Sequence, residues 1–145
     1  MFPAEGSSVV DPALVSRWAR SVVGWPFRAG GRDRDGIDCF GLFLDYARTI
    51  GHPLPDYRYP PQECREHALM FAAHYHEHGE EIPRADAMPG DIVLFKNSIH
   101  GVNHIAVLLG RNKFIHCTKA GVAIQSLNTP PFNRRAEMFL RLKTS

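Results

Sequence analysis

The chain has 145 residues, of which 44% are hydrophobic and 22% are charged, and its formal net charge at pH 7 is +2. This length and composition predict a single globular domain, residues 1–145, that buries a core without covalent cross-links. So small a net charge indicates neither a nucleic-acid partner nor a membrane surface, and no apolar stretch approaches the ~20 residues of a membrane span. Three widely spaced cysteines support neither a disulfide framework nor a Cys-x-x-Cys metal site.

The amino-terminal segment contains one predicted helix and no targeting signal. Residues 1–10 lack the basic and apolar regions of a secretory signal peptide, so we expect synthesis in the cytoplasm without one. Asp11 and Pro12 are typical of the N-cap and the first position of a helix, and Gly24 is a suitable stop. Apolar residues recur between them at steps of three and four: Val15, Trp18, Ala19 and Val22.

The next predicted helix begins where a polar loop rich in Gly and Arg, residues 30–36, meets an apolar run that closes at Gly51. We predict Asp38 as its N-cap and Cys39 in its first turn. Free N–H groups and the helix dipole favour negative charge there, so we expect the pKa of the thiol to fall. Such a cysteine can be a nucleophile if a base lies nearby, although a cysteine considered alone is more often a packing residue.

The middle of the chain predicts a connector and a further helix. Residues 52–61 contain four prolines, which favour an extended connector. A helical pattern then runs from Gln62 to about His78 and is closed by Gly79. Its apolar positions at helical spacing are Cys64, Ala68, Phe71 and Tyr75.

After a turn at residues 88–90, the pattern changes to that of short strands. We predict strands at residues 91–95, 104–109, 113–118, 122–127 and near 137–142. Helices thus fill the front half of the chain and strands the back half. That order predicts an α+β fold, with N-terminal helices packed on a C-terminal antiparallel β-sheet.

His104 and His116 lie on two of these strands, and the loop between the strands decides whether the imidazoles can meet. A two-residue turn without a bulge would place the two side chains on opposite faces of the sheet. A three-residue loop, Gly110 to Asn112, pairs Ala106 with His116 and makes His104 a diagonal neighbour on the same face. We predict the three-residue loop, or an equivalent bulge.

Four segments in this order resemble the NlpC family of papain-like cysteine peptidases, which cut bacterial cell-wall peptides. The segments are Asp38–Gly41, Met88–Phe95, Asn103–Gly110 and Lys113–His116, and the resemblance runs from about residue 25 to 127. It implies a papain-like fold and no metal or organic cofactor. It also implies that Cys39 is the nucleophile, that His104 is the general base and then acid, and that His116 orients His104.

The resemblance also implies a substrate and a setting. The family's usual scissile bond joins γ-D-glutamate to a diamino acid in the peptidoglycan stem peptide. The aromatic residue after the cysteine, and the missing signal peptide, are most similar to the phage-tail and gene-transfer-agent branch. In that branch the peptidase is a component of the particle and thins the cell wall during DNA delivery. The resemblance therefore implies phage-tail or gene-transfer-agent tail proteins as partners.

The sequence departs from the family pattern at two predicted substrate-binding positions. Phe27 stands where relatives carry a tyrosine whose hydroxyl helps to hold the oxyanion. Losing one such donor lowers the rate by a factor on the order of 10²–10³. The Cys39 N–H can still donate, so we expect either weak activity or a substitute second donor such as Arg28. Phe40 stands where many relatives have a serine that helps to recognise the substrate amine. Asp38 matches the family pattern and can pair with that amine.

Further polar side chains have alternative interpretations. His67, His74 and His78 share one face of the Gln62–His78 helix, which suggests either a metal site or a solvated face at the substrate rim. No nearby carboxylate or cysteine completes a ligand set, and we expect no metal. Loop arginines 28, 32 and 34 either bind an anionic substrate or are simply solvated.

The remaining candidates are assigned structural roles. We expect Asp91 to hold loop backbone after the Pro-Gly turn. Cys64 and Cys117 are interpreted as packing residues, and Arg134 and Arg135 as surface charge.

Two functions other than stem-peptide hydrolysis remain open. The same triad could act as an N-acetylmuramoyl-L-alanine amidase, at the sugar–peptide junction, or as an acyltransferase. Alternatively, the domain could be a non-catalytic tail-tip or wall-binding module, an interpretation that Phe27 favours.

Overall fold

The computed structural model describes residues 10–60, 65–97 and 101–143, so Cys64 lies outside the described residues. In chain order the described elements are α1 (Pro12–Val22), β1 (Arg32–Asp33), β2 (Gly36–Ile37), α2 (Cys39–Thr49), α3 (Arg65–His78), β3 (Gly79–Ile82), a short 3₁₀ turn (Arg84–Asp86), β4 (Ile92–Asn97), β5 (Gly101–Leu108), β6 (Lys113–Thr118), β7 (Gly121–Ser126), α4 (Phe132–Arg135) and β8 (Ala136–Leu142).

Both predicted N-caps are confirmed. Asp11 accepts a hydrogen bond from the Ala13 N–H at 3.0 Å at the start of α1. Asp38 accepts one from the Gly41 N–H at 2.7 Å at the start of α2. Each bond satisfies an N–H group that the first turn of a helix leaves without a partner. Cys39 is therefore fixed as the first residue of α2.

Strands β3 to β8 form one antiparallel sheet in the order β3-β8-β4-β5-β6-β7, which confirms the predicted α+β class. The strand order differs from a simple succession, because β8 inserts between β3 and β4. Gly79 begins β3 instead of only closing α3. The Gly- and Arg-rich loop, predicted to be irregular, contains the small β1–β2 hairpin.

The hairpin between β5 and β6 has the predicted register. The Leu109 N–H donates to the Lys113 carbonyl at 2.9 Å, so the connection is the three-residue loop Gly110–Asn112. Because side chains alternate along a strand, this register places His104 and His116 on the same face.

A β-bulge interrupts the β4–β5 pair beside His104. Phe95 lies opposite His104 and Lys96 lies opposite Val102, so Asn103 is the extra residue of β5. A bulge bends its strand and changes the direction of neighbouring side chains, and bulges of this kind are frequent next to active sites.

The sheet buries apolar side chains on both faces. Helices α1, α2 and α3 cover one face, with a core that includes Trp18, Tyr46, Phe71, Ile105 and Ile115. The short helix α4 contacts the other face through Phe132, over Val93, Phe95, Ala106, Phe114 and Phe139. Alternate residues of β4 thus pack into different cores, as expected for a strand buried on both sides.

Asp91 has the structural role expected from the sequence. It is buried, accepts a hydrogen bond from the Met88 N–H at 2.8 Å, and pairs with Arg141 of β8 through two contacts of 3.0 and 2.8 Å. Bidentate arginine–carboxylate pairs are strong and directional, so this contact links the turn before β4 to the inserted strand β8.

Candidate active site

Cys39, His104 and His116 line one cavity of about 670 Å³, which is called the Cys39 cavity below. The cysteine comes from the first turn of α2, and the two histidines come from adjacent strands β5 and β6. Residues far apart in sequence thus border the same cavity.

The Cys39 thiol is buried, and its surroundings oppose ionisation. Backbone N–H groups of Ile105 and Phe40 approach the sulfur and favour the thiolate. Burial and the nearby Asp38 carboxylate outweigh them and raise the pKa of Cys39 to about 12. The expectation that the helix start lowers this pKa is therefore wrong. The contact with Ile105 also places the sulfur beside the strand residue that follows His104.

The two imidazoles form a direct hydrogen bond. His104 Nε2 and His116 Nδ1 are 2.9 Å apart, and the rings are nearly perpendicular. Burial is the main cause that lowers the pKa of His104 to about 3 and that of His116 to about 4, so both rings are neutral at pH 7.

The His116 ring is held on two sides by aromatic rings. It makes edge contacts with Phe114 and with Phe132, at centroid distances of 4.9 and 5.3 Å. The hydrogen bond to His116 fixes the orientation of the His104 ring through its Nε2. A base oriented by a third group is the arrangement that activates a nucleophile.

Of the residues predicted to bind substrate, Phe27, Asp38 and Phe40 line the Cys39 cavity and Arg28 does not. Arg28 is exposed, and the stem of its side chain lies close against Gly36. The backbone explains this direction: the Arg28 N–H donates to the Ile37 carbonyl at 3.1 Å, which fixes the segment along β2. The proposed role of Arg28 as a substitute oxyanion donor is therefore not supported.

Phe40 is as much a packing residue as a cavity residue. It is 6% exposed, and its ring makes an edge contact with Tyr59 at a centroid distance of 4.5 Å. It also packs near Phe43 and Phe71. The aromatic side chain after Cys39 thus packs the connector against α2.

Several charged residues line the cavity that the sequence left open or did not connect with it. Arg134 and Arg135 are both exposed, as interpreted, and Arg135 also lines the cavity. Arg32 also lines the cavity, and Arg34 is exposed at the hairpin turn. The cationic residues that sequence reasoning did not connect with the site are Arg58, Lys96 and Lys119. Their only available signal was charge, which is also typical of an ordinary surface.

His67, His74 and His78, the three histidines predicted to share one face of α3, do not act together. His67 is buried, lines the Cys39 cavity and has its Nδ1 2.9 Å from the Pro60 carbonyl oxygen. His74 instead stacks on Tyr57 at 3.6 Å, and His78 lies 2.8 Å from the Tyr57 hydroxyl. Among the described ranges, no group of three or more His, Cys, Asp or Glu side chains is placed to hold a metal ion.

Cys117 is buried, in agreement with a packing role, although it also borders the cavity. Its thiol donates to the Ile37 carbonyl at 3.1 Å. Across the part of the chain that the structure describes, no helix is both long and apolar enough to cross a bilayer.

A cysteine at a helix start shares one cavity with a hydrogen-bonded histidine pair on an antiparallel sheet, an arrangement expected of a papain-like protein. The NlpC/P60 family matches residues 24–141, and the chain belongs to this family. The resemblance inferred from the four sequence segments is thereby confirmed. The narrower assignment to a phage-tail or gene-transfer-agent branch stays a prediction.

A curated relative supports the family at the sequence level. The murein DD-endopeptidase MepS/murein LD-carboxypeptidase of Escherichia coli is 32% identical over 111 residues, a match that covers 75% of this chain and 51% of that protein. The chain thus spans about half of the length of that relative.

Solved structures show the same fold. A protein described as similar to lipoprotein, NLP/P60 family, from Staphylococcus aureus has a TM-score of 0.77 at 20% identity, and the match covers 99% of this chain and 46% of that one. RipD from Mycobacterium tuberculosis, described as a non-catalytic NlpC/p60 domain protein adapted to peptidoglycan binding, has a TM-score of 0.60 at 18% identity, with 92% and 95% covered.

Proposed function

We propose that the protein is a cysteine peptidase that hydrolyses peptidoglycan stem peptides. The observation that carries this proposal is the convergence of Cys39, His104 and His116 on one cavity, with the two imidazoles 2.9 Å apart. Membership of the NlpC/P60 family supports it, as does a relative whose name is that of a murein endopeptidase.

The proposed reaction is acyl transfer to sulfur followed by hydrolysis. His104 takes the Cys39 proton as the sulfur attacks the carbonyl carbon, and the Cys39 N–H at the start of α2 donates to the oxyanion. His104 returns the proton to the leaving amine as the C–N bond breaks. Water then cleaves the thioester, again with His104 as base, and Cys39 regains its proton. His116 keeps the His104 ring oriented throughout, through the hydrogen bond to its Nε2.

The neutral resting state has a consequence for the first step. A thiol with a pKa of about 12 does not pass its proton to an imidazole with a pKa of about 3 before the attack begins. Proton transfer therefore accompanies attack on the carbonyl, when the developing oxyanion and the protonated imidazole stabilise each other.

Within this activity we propose the γ-D-glutamyl–diamino acid bond as the scissile bond. The rim of the Cys39 cavity carries Arg58, Lys96, Lys119 and Arg135, and stem peptides carry several carboxylates. The relative's name refers to other bonds, DD-endopeptidase and LD-carboxypeptidase, so the bond must be read from the products.

The proposal is tested by digesting purified peptidoglycan and determining the masses of the released fragments. Cleavage between D-glutamate and the diamino acid is the expected result. Release of intact stem peptides from the glycan would instead identify an amidase, and new peptide linkages would identify an acyltransferase. Binding to the wall with no released fragment would identify a non-catalytic module, the function described for RipD.

We also propose that the domain acts on a phage or gene-transfer-agent particle, in contact with tail proteins, and reaches the wall from there after synthesis in the cytoplasm. The support is the resemblance noted from the sequence, which rests on the aromatic residue Phe40 directly after Cys39. Mass spectrometry of purified particles tests the proposal: the protein should be recovered with the tail, and particles that lack it would refute the association.

A further inference from the structure

The cysteine and the histidine pair of the Cys39 cavity are supported by different cores. Cys39 belongs to the core between the helices and the sheet, as do Ile105 and Ile115, which are strand neighbours of the histidines. Because side chains alternate along a strand, His104 and His116 point to the other face of the sheet, the face that α4 covers. A change on the α4 side of the sheet therefore acts on the histidines before it acts on the cysteine.

Three phenylalanine rings surround the two imidazoles on that face. Phe95 lies 5.7 Å from His104, and Phe114 and Phe132 lie 4.9 and 5.3 Å from His116, all measured between ring centroids. The three phenyl rings also contact one another, at centroid distances of 5.0, 5.1 and 5.9 Å. Aromatic rings at these distances attract one another, so the histidine pair is held by one contiguous aromatic cluster.

Phe132 is the member of this cluster that does not belong to the sheet. Phe95 lies on β4 and Phe114 lies on β6, where the strand register fixes their positions. Phe132 begins the four-residue helix α4 and is only partly buried. It packs on the core of Phe95 and Phe114 and also borders the Cys39 cavity. Its ring therefore covers one side of His116 at the edge of that cavity.

We propose that Phe132 is a positioning residue of the histidine pair: its ring holds His116 in the orientation that binds His104 and keeps water away from His116. This inference rests on the proposed peptidase function. The required geometry is narrow, because the hydrogen bond of 2.9 Å joins two rings that are nearly perpendicular. A displacement of about 1 Å at a reacting centre lowers a rate by about 10²-fold, so a small rotation of His116 is enough to slow the reaction.

The test replaces the Phe132 ring and measures steady-state hydrolysis of a soluble stem peptide. Phe132→Leu retains apolar volume but not the flat ring that contacts His116. Its kcat should fall about tenfold or more while KM stays within about twofold of wild type, because the ring acts on the base and not on the substrate. Phe132→Tyr retains the ring, so its kcat should stay within about threefold of wild type.

Phe139→Leu is the matched control, because Phe139 is a buried residue of the same core. Its ring faces the Arg84 guanidinium at 5.5 Å, and within the described part of the chain no ring contact joins it to His104 or His116. The substitution should lower the free energy of unfolding, as loss of buried aromatic volume does. Its kcat should nevertheless stay within about threefold of wild type.

Nuclear magnetic resonance of the His116 ring supplies a readout that does not depend on activity. Burial lowers the pKa of His116 to about 4, and His104 is the titratable group that it hydrogen-bonds. In Phe132→Leu water reaches the ring, so the Cε1–H signal of His116 should titrate between pH 7 and pH 5. In wild type and Phe139→Leu most of the change should occur below pH 5. His116→Phe, which lacks the signal, assigns it.

The two readouts separate this inference from the proposed function. A His116 titration in Phe132→Leu that matches wild type, or a kcat equal to that of Phe139→Leu, would overturn the positioning role. A wild-type protein that hydrolyses no stem peptide would refute the peptidase, and the titration alone then decides whether Phe132 shields His116. If Phe132→Leu does not fold, Phe132→Met makes the same comparison with a more adaptable side chain.

Discussion

At the scale of single residues, two opposing influences act on the Cys39 thiol, and their magnitudes decide the outcome. A helix N-terminus stabilises a nearby negative charge by about 0.3–1 kcal/mol. The rise in the pKa of Cys39 from 9.0 to about 12 corresponds to about 4 kcal/mol in the opposite direction. Burial therefore prevails over the dipole, and the sulfur rests as a neutral thiol.

The pH dependence of alkylation tests this state of the thiol. The rate at which iodoacetamide modifies Cys39 should keep rising through pH 9 and 10, because the thiolate fraction is still growing there. Mass spectrometry of the Cys39 peptide measures the rate, and circular dichroism at each pH confirms that the fold persists. A plateau at or below the ordinary pKa of ~8.5 would contradict the assignment.

Only some of the residues that line the Cys39 cavity could be predicted from the sequence. Cys39, His104 and His116 could be predicted, because a cap and a hairpin register are local features that fix where each side chain points. Arg32 and Arg135 could not be assigned to the site. The placement of Arg32 depends on its ion pairs with Asp38 and Asp56, and that of Arg135 on a four-residue helix, which only the complete tertiary structure brings to the cavity.

At the scale of elements, long periodic segments were predictable and short ones were not. Helices α1 and α2 carry capping residues and an apolar face over eleven residues each. Strands β1 and β2 have two residues each, too few to show an alternating pattern. The insertion of β8 between β3 and β4 pairs strands that are far apart in sequence, so no local sequence pattern predicts it. The Arg141–Asp91 contact supports this pairing.

Contact between the β1–β2 region and α2 yields a prediction for Gly41. A Cβ on Gly41 would lie 2.4 Å from the Gly31 carbonyl oxygen, so the loop that carries Arg32 must move. Alanine in a helix is ordinarily better than glycine by about 1 kcal/mol, but the clash reverses the sign. We expect Gly41→Ala to lower the free energy of unfolding by about 1–3 kcal/mol and to reduce activity, as measured by urea denaturation and wall digestion.

Gly110→Ala provides the matched control for that substitution. Gly110 does not have a left-handed φ, and a Cβ there would meet no atom within 4 Å. Its effect on the free energy of unfolding should stay within about 0.5 kcal/mol. Equal effects of the two substitutions would contradict the view that Gly41 is needed for the β1–β2 region to pack closely on α2.

At the scale of the whole molecule, the neutral histidines link stability to pH. In the unfolded chain, His116 takes up a proton near its ordinary pKa of 6.5, whereas in the folded protein its pKa is about 4. As the pH falls from 7 to 4, the unfolded state therefore gains protons that the folded state does not bind. Stability is lost in that window, by about 3 kcal/mol from His116 alone.

Urea denaturation of wild type and His116→Phe at several pH values tests this linkage. The aromatic replacement retains apolar contacts with Phe114 and Phe132 but cannot titrate. Its free energy of unfolding should fall less steeply between pH 7 and pH 4 than that of the wild type. Parallel curves for the two proteins would show that His116 is protonated to the same extent in both states.

The central claim is that the Cys39 sulfur performs the attack, and the rate of peptidoglycan digestion by two alanine variants tests it most directly. Cys39 and Cys117 are both buried cysteines bordering one cavity, so the same substitution at each position makes a matched pair. We predict that Cys39→Ala loses at least about 10³-fold in rate, whereas Cys117→Ala stays within about tenfold of wild type. Digestion by Cys39→Ala at the wild-type rate would contradict the account.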